Sequence, residues 1–161
     1  MMFARTIMSD APLEWLQFEK ALAASVRIFE ARGLTVRTGF QAIPGFPSDG
    51  FRADAVVTDG RRLVAVEVEV KQTHPDTNVG KYWLLAEHHG YEHVTLIHVY
   101  TPAYNSYPWR MRLGQFYAEK MKSEFPFEYV LLDRRAATDV PATFLEVKSI
   151  VAARISKEFE S

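Results

Sequence analysis

The sequence predicts an α/β domain, a mixed β-sheet flanked by helices in the order α-β-β-β-α-β-α-β-α. Three observations point there. An Asp59-Gly60 turn signal lies between two valine-rich apolar runs, the pattern of a tight antiparallel hairpin. Farther on, helical and strand patterns alternate, as they do in the crossovers of a parallel sheet. The chain has 161 residues, 48% apolar and 24% charged, which suits one globular domain with its own core. No repeat, low-complexity tract or linker divides it, so residues 1–161 are expected to form a single domain.

The first helix is expected over residues 12–32, with Asp10 as its cap, Pro12 in its first turn and Gly33 at its end. Leu13, Leu16, Ala21, Leu22, Val26 and Phe29 form its apolar stripe. A short strand follows at 34–40. Two prolines and two glycines make 41–50 a loop. The hairpin strands are 51–58 and 62–71, joined by a two-residue turn. A helix over 76–89 follows, closed by Gly90. Then come a strand at 93–100, a helix at 109–125, a strand at 127–132 and a last helix at 141–160.

Composition narrows the function. With no cysteine, disulfides and cysteine-ligated zinc are excluded, and the chain suits a reducing, cytoplasmic setting. The first ten residues are too poor in basic charge and too short in their apolar part for a secretory signal, and no apolar run is of membrane-spanning length, so no membrane partner is expected. A net charge of −1 disfavours coating nucleic acid by bulk charge, but leaves room for an enzyme whose acidic ligands offset basic groove residues. There is no GxGxxG, GxxxxGK[ST] or GxSxG motif. His88 and His89 are adjacent and diverge on a helix, and His98 alternates with apolar residues, so the histidines do not suggest a metal site.

The strand at 62–71 carries the chemistry. Side chains alternate across a strand, so Val64, Val66, Val68 and Val70 share one face, while Ala65, Glu67, Glu69 and Lys71 share the other. Opposite lies Asp54, a lone acid among Ala53, Ala55, Val56 and Val57, costly to bury without a partner. Crowded carboxylates repel one another, and a hard divalent cation with oxygen ligands would neutralise them. A lysine beside such an ion would orient a water or stabilise developing negative charge. A solvated face of internal ion pairs is the alternative.

Asp54 followed across a turn by Glu69-Val70-Lys71 resembles the D…(D/E)xK signature of the PD-(D/E)XK, or restriction-endonuclease-like, nucleases. The order of elements agrees over about residues 12–100, with Ala53 standing where the family has proline. The resemblance implies Mg²⁺ or Mn²⁺ held by Asp54 and Glu69, with Lys71 serving the attacking water. It also implies a first-helix acid, for which Glu19 is preferred over Glu14 and Glu30; an ordinary surface glutamate is the alternative. Glu67 is an extra acid, beside the metal or solvated. The expected activity is metal-dependent hydrolysis of phosphodiester bonds in nucleic acid, with DNA as the first substrate. The alternative is an inactive module of the same fold that binds nucleic acid or a partner protein.

On the next helix, Lys81 and Asn78 share a face. Lys81 is a candidate phosphate contact or a surface lysine, and His74 is placed at the site's border. Gln72 points to the opposite face if the strand continues. Arg110 and Arg112, among Tyr104, Tyr107 and Trp109, are candidate nucleic-acid contacts. The aromatics there are otherwise packing residues or the contact of a homodimer.

Overall fold

The computed structural model describes residues 11–46, 50–71, 73–104 and 107–160. Asp10 and Gln72 lie outside the described residues. The chain is an α/β fold built on a five-stranded mixed sheet with helices on both faces. Helix α1 (Ala11–Ser25) continues as a 3-10 segment (Val26–Arg32), followed by β1 (Thr35–Thr38), β2 (Ala55–Thr58) and β3 (Arg62–Glu69). Then come α2 (Thr77–His89), β4 (His93–Tyr100), α3 (Pro108–Glu124), β5 (Phe127–Asp133) and α4 (Val140–Glu158). The strands lie in sequence order, β1-β2-β3-β4-β5. The first three are antiparallel, and β4 and β5 extend the sheet in parallel to β3.

Strand alternation divides the core into two layers. Val64, Val66, Val68 and Val70 pack with Ile97 and Val99 beneath α1 and α4. Leu63, Ala65, Val94 and Leu96 pack on the other face against Tyr82 and Leu85 of α2 and Met121 of α3. β3 is buried on both faces because it is central and covered from both sides.

Three elements differ from expectation. The buried stripe of α1 runs through Trp15, Phe18 and Leu22 and on to Val26 and Phe29, while Ala21 is exposed. Of the expected stripe, Leu22, Val26 and Phe29 are buried and Leu16 packs partly buried against them, while the rings of Trp15 and Phe18 join the core and Ala21 does not. The hairpin connection is longer than a two-residue turn, since Asp59, Gly60 and Arg61 all lie between β2 and β3. The Asp59 carboxylate accepts from the N–H groups of Arg61 (2.9 Å) and Arg62 (2.7 Å), and Gly60 takes φ +91°. An aspartate that caps its own turn in this way stabilises a longer connection. Finally, β2 starts only at Ala55, four residues later than expected, for a reason that lies in the site itself. No helix among the described residues is long and apolar enough to cross a membrane.

Candidate active site

Asp54 ends the β2 ladder. Ala55 pairs with Val66, the last pair before the strand stops. The next N–H available on β3, that of Val68, donates to Asp54 Oδ2 at 2.7 Å. A side chain thus replaces the backbone acceptor, and the strand is shortened where the carboxylate turns in. Burial, then the neighbouring charge of Glu19, pushes the Asp54 carboxyl up to about 7. Glu19 of α1 is itself raised, by burial first and then by the charges of Glu69 and Glu67, against a lowering contribution from Asp54.

Glu67 and Glu69 are buried, 3% and 0% exposed, which removes the alternative of a solvated charged face. They lie beneath α2, whose N-terminal half covers this end of the sheet. Glu67 accepts from Tyr82 Oη at 2.7 Å and forms an ion pair with Lys81. Burial still pushes the Glu67 carboxyl up to about 7, against the pull of the Lys81 ammonium. Lys81 is therefore neither a surface lysine nor an open phosphate contact. It is 7% exposed, and Nζ also donates to the Arg52 carbonyl (2.6 Å) and Asn78 Oδ1 (3.2 Å). Its three donors meet three acceptors. Because Lys81 can only donate, Asn78 must turn its oxygen to Lys81 and its nitrogen to Glu69.

The Glu69 carboxylate is held on one side only. Oε1 accepts from Asn78 Nδ2 and lies 2.7 Å from His98 Nε2, while Oε2 is buried without a hydrogen-bond partner among the described residues. His98, expected to be only part of an apolar strand, is fully buried. Its Nδ1 lies 2.7 Å from Tyr129 Oη on β5. The signal that places it there is the parallel register of β3 and β4, which sets His98 beside Glu67. That register is a tertiary fact.

Lys71 stands exposed just past the end of β3, on the lip of an open depression lined also by Thr73, His74, Thr77 and Asn78. His74 borders this depression, and Asn78 links it to Glu69. Arg110 reaches Asp76, just before α2, at 3.4 Å, and its guanidinium lies 4.3 Å from the Trp109 ring centre. Arg112 is exposed. Tyr104 is buried, but Tyr107 and Trp109 are 65% and 51% exposed, so these two are surface rings rather than packing residues within the chain.

The structure thus brings Asp54, Glu19, Glu67 and Glu69 into mutual electrostatic reach and sets Lys71 at the mouth of the adjoining depression. Among the described residues no three acidic or histidine groups form a ready-made coordination cluster. The donor set nevertheless suits a hard divalent ion. It is mostly carboxylate oxygen, one oxygen is orphaned in a buried place, and burial and neighbouring carboxylates raise the Asp54 and Glu19 carboxyls, a crowding that a cation would relieve.

The raised carboxyl has a stability consequence without added divalent ions. Asp54 binds a proton more tightly folded than unfolded, so its contribution is complete below about 4 and is lost as pH rises through about 7. Asp54→Asn removes that loss while keeping an acceptor for Val68. Its Tm relative to wild type should rise by roughly 6–12 °C between pH 4.5 and 7.5, about 3 kcal/mol. Thermal melts at the two pH values check this, and a constant difference would contradict a raised Asp54 carboxyl.

No protein-family model matches the chain, and a search of curated proteins returns no match.

Proposed function

We propose that the protein is a metal-dependent endonuclease of the PD-(D/E)XK, restriction-endonuclease-like type, hydrolysing phosphodiester bonds in nucleic acid, DNA first among them. The observation that carries this is the buried, orphaned Oε2 of Glu69 in a nest of carboxylates beside the Lys71 depression. The antiparallel β1–β3 meander extended in parallel by β4 and β5 supports the fold assignment.

In this proposal Asp54 and Glu69 hold Mg²⁺ or Mn²⁺, with Glu19 joining through Asp54. Bound there, the ion would polarise a phosphoryl oxygen and lower the pKa of a bound water. Lys71 approaches from the solvent side, where its ammonium orients the attacking water or stabilises charge developing on the phosphate. Glu67 and Lys81 do not touch substrate. Their ion pair fixes α2, and through Asn78 it fixes Glu69.

The exposed Tyr107 and Trp109 rings, with Arg110 and Arg112, supply stacking and phosphate contacts at the start of α3. The link from Arg110 to Asp76 ties this surface to the depression. Trp109→Ala should weaken single-stranded DNA binding by about 1–3 kcal/mol, the worth of one stacked base. Arg112→Ala should reduce the salt slope of binding by about 1. Fluorescence anisotropy over a salt series measures both, and unchanged curves would remove α3 from the interface.

Calorimetric titration with Mn²⁺ and Mg²⁺ tests the function. Binding to wild type, lost in Asp54→Asn, is expected. An absence of binding would favour a non-catalytic module of this fold.

A further inference from the structure

We propose that His98, braced by Tyr129, is a positioning residue that ties up one oxygen of Glu69 and so presents the other, Oε2, as a single-point ligand for the divalent ion. This rests on the metal site proposed above and adds to it a selectivity device.

The geometry is asymmetric. Asn78 Nδ2 and His98 Nε2 both lie 2.7 Å from Oε1, while Oε2 has no partner among the described residues. An ion approaching Glu69 therefore meets one oxygen with two donors already on it and one that is bare. The tautomer with hydrogen on Nε2 donates to the carboxylate and leaves Nδ1 to accept from Tyr129 Oη, 2.7 Å away. His98 also rests against the Tyr100 ring, with centroids 4.7 Å apart. The imidazole is thus fixed by contacts on β3, β4 and β5 and cannot swing away when the ion arrives.

The consequence concerns which ion binds. Gripping a carboxylate through both oxygens suits large, flexible coordination shells such as that of Ca²⁺. Mg²⁺ and ions of similar demand take near-octahedral shells in which each carboxylate offers one oxygen. A His98 that occupies Oε1 favours the smaller ions. Groups that orient a ligand in this way typically change metal affinity by about 10- to 100-fold when removed.

The experiment is calorimetric titration of wild type, His98→Leu, His98→Gln and Tyr129→Phe with Mn²⁺ and, separately, Ca²⁺, on proteins checked for folding by thermal melts. Wild type is expected to bind Mn²⁺ in preference to Ca²⁺. His98→Leu, which keeps the bulk and deletes the donor, should weaken Mn²⁺ by about 10- to 100-fold and narrow the preference. His98→Gln, whose amide nitrogen can replace Nε2, should stay within about 3-fold of wild type. If His98→Leu does not fold, Tyr129→Phe decides: a loss of at least about 3-fold supports the role, and unchanged binding overturns it. A folded His98→Leu that binds both ions as wild type does overturns the inference and leaves the metal site standing. Failure of wild type to bind Mn²⁺ overturns both.

Discussion

Lys81→Met should destabilise the protein by about 3–5 kcal/mol, roughly 10–15 °C in Tm for a chain of this size. The side chain is buried, and its ammonium serves Glu67, the Arg52 carbonyl and Asn78. Methionine fills the volume but leaves Glu67 without its counter-charge, and an unpaired buried charge is what makes such a change severe. Glu67 can respond by taking up a proton, since its carboxyl is already raised to about 7. The loss should accordingly be smaller at pH 5.5 than at pH 8. Glu67→Gln in the same background removes the stranded charge and keeps an acceptor for Tyr82, so the double variant should recover much of the stability. Denaturant unfolding of the two single variants and the double variant checks this. A loss below about 1 kcal/mol for Lys81→Met would mean that the pair is not the buried bridge described here.

Lys71→Ala should do the reverse, removing activity and sparing the fold. Lys71 is exposed, so its loss should change stability by no more than about 0.5 kcal/mol. Loss of a donor that stabilises transition-state charge typically costs about 100- to 1,000-fold in kcat. The measurement is single-turnover cleavage of single- and double-stranded DNA in Mg²⁺, with matched melts. Equal rates for wild type and Lys71→Ala would remove Lys71 from the chemistry. The two lysines thus separate cleanly: one is buried in the architecture beneath the site and the other faces the solvent at the proposed substrate side.

Much of this architecture was legible in the sequence, because period-2 alternation in β3 divides the valines from the acids and the two faces are buried accordingly. The strand at His93–Tyr100 emerges as its β-rich composition leads one to expect. Less legible was whatever depends on register. Asp54 cuts β2 short by taking the Val68 N–H, and no propensity signals that a side chain will replace a ladder acceptor. His98 reads as one polar residue in an apolar strand until β4 is set beside β3 in parallel. Lys81 reads as a phosphate contact or a surface residue because lysine is rarely buried; only the docking of α2 over Glu67 reverses both. Glu19 gains meaning in the same way, through its electrostatic coupling to Asp54, Glu67 and Glu69, which links two distant parts of the chain.

Anomalous diffraction from crystals soaked in Mn²⁺ would decide whether the proposed metal centre exists. One strong peak is expected about 2.1 Å from Glu69 Oε2, with Asp54 as a second ligand. A Mn²⁺ peak elsewhere, or none near Glu69 at saturating ion, would contradict it.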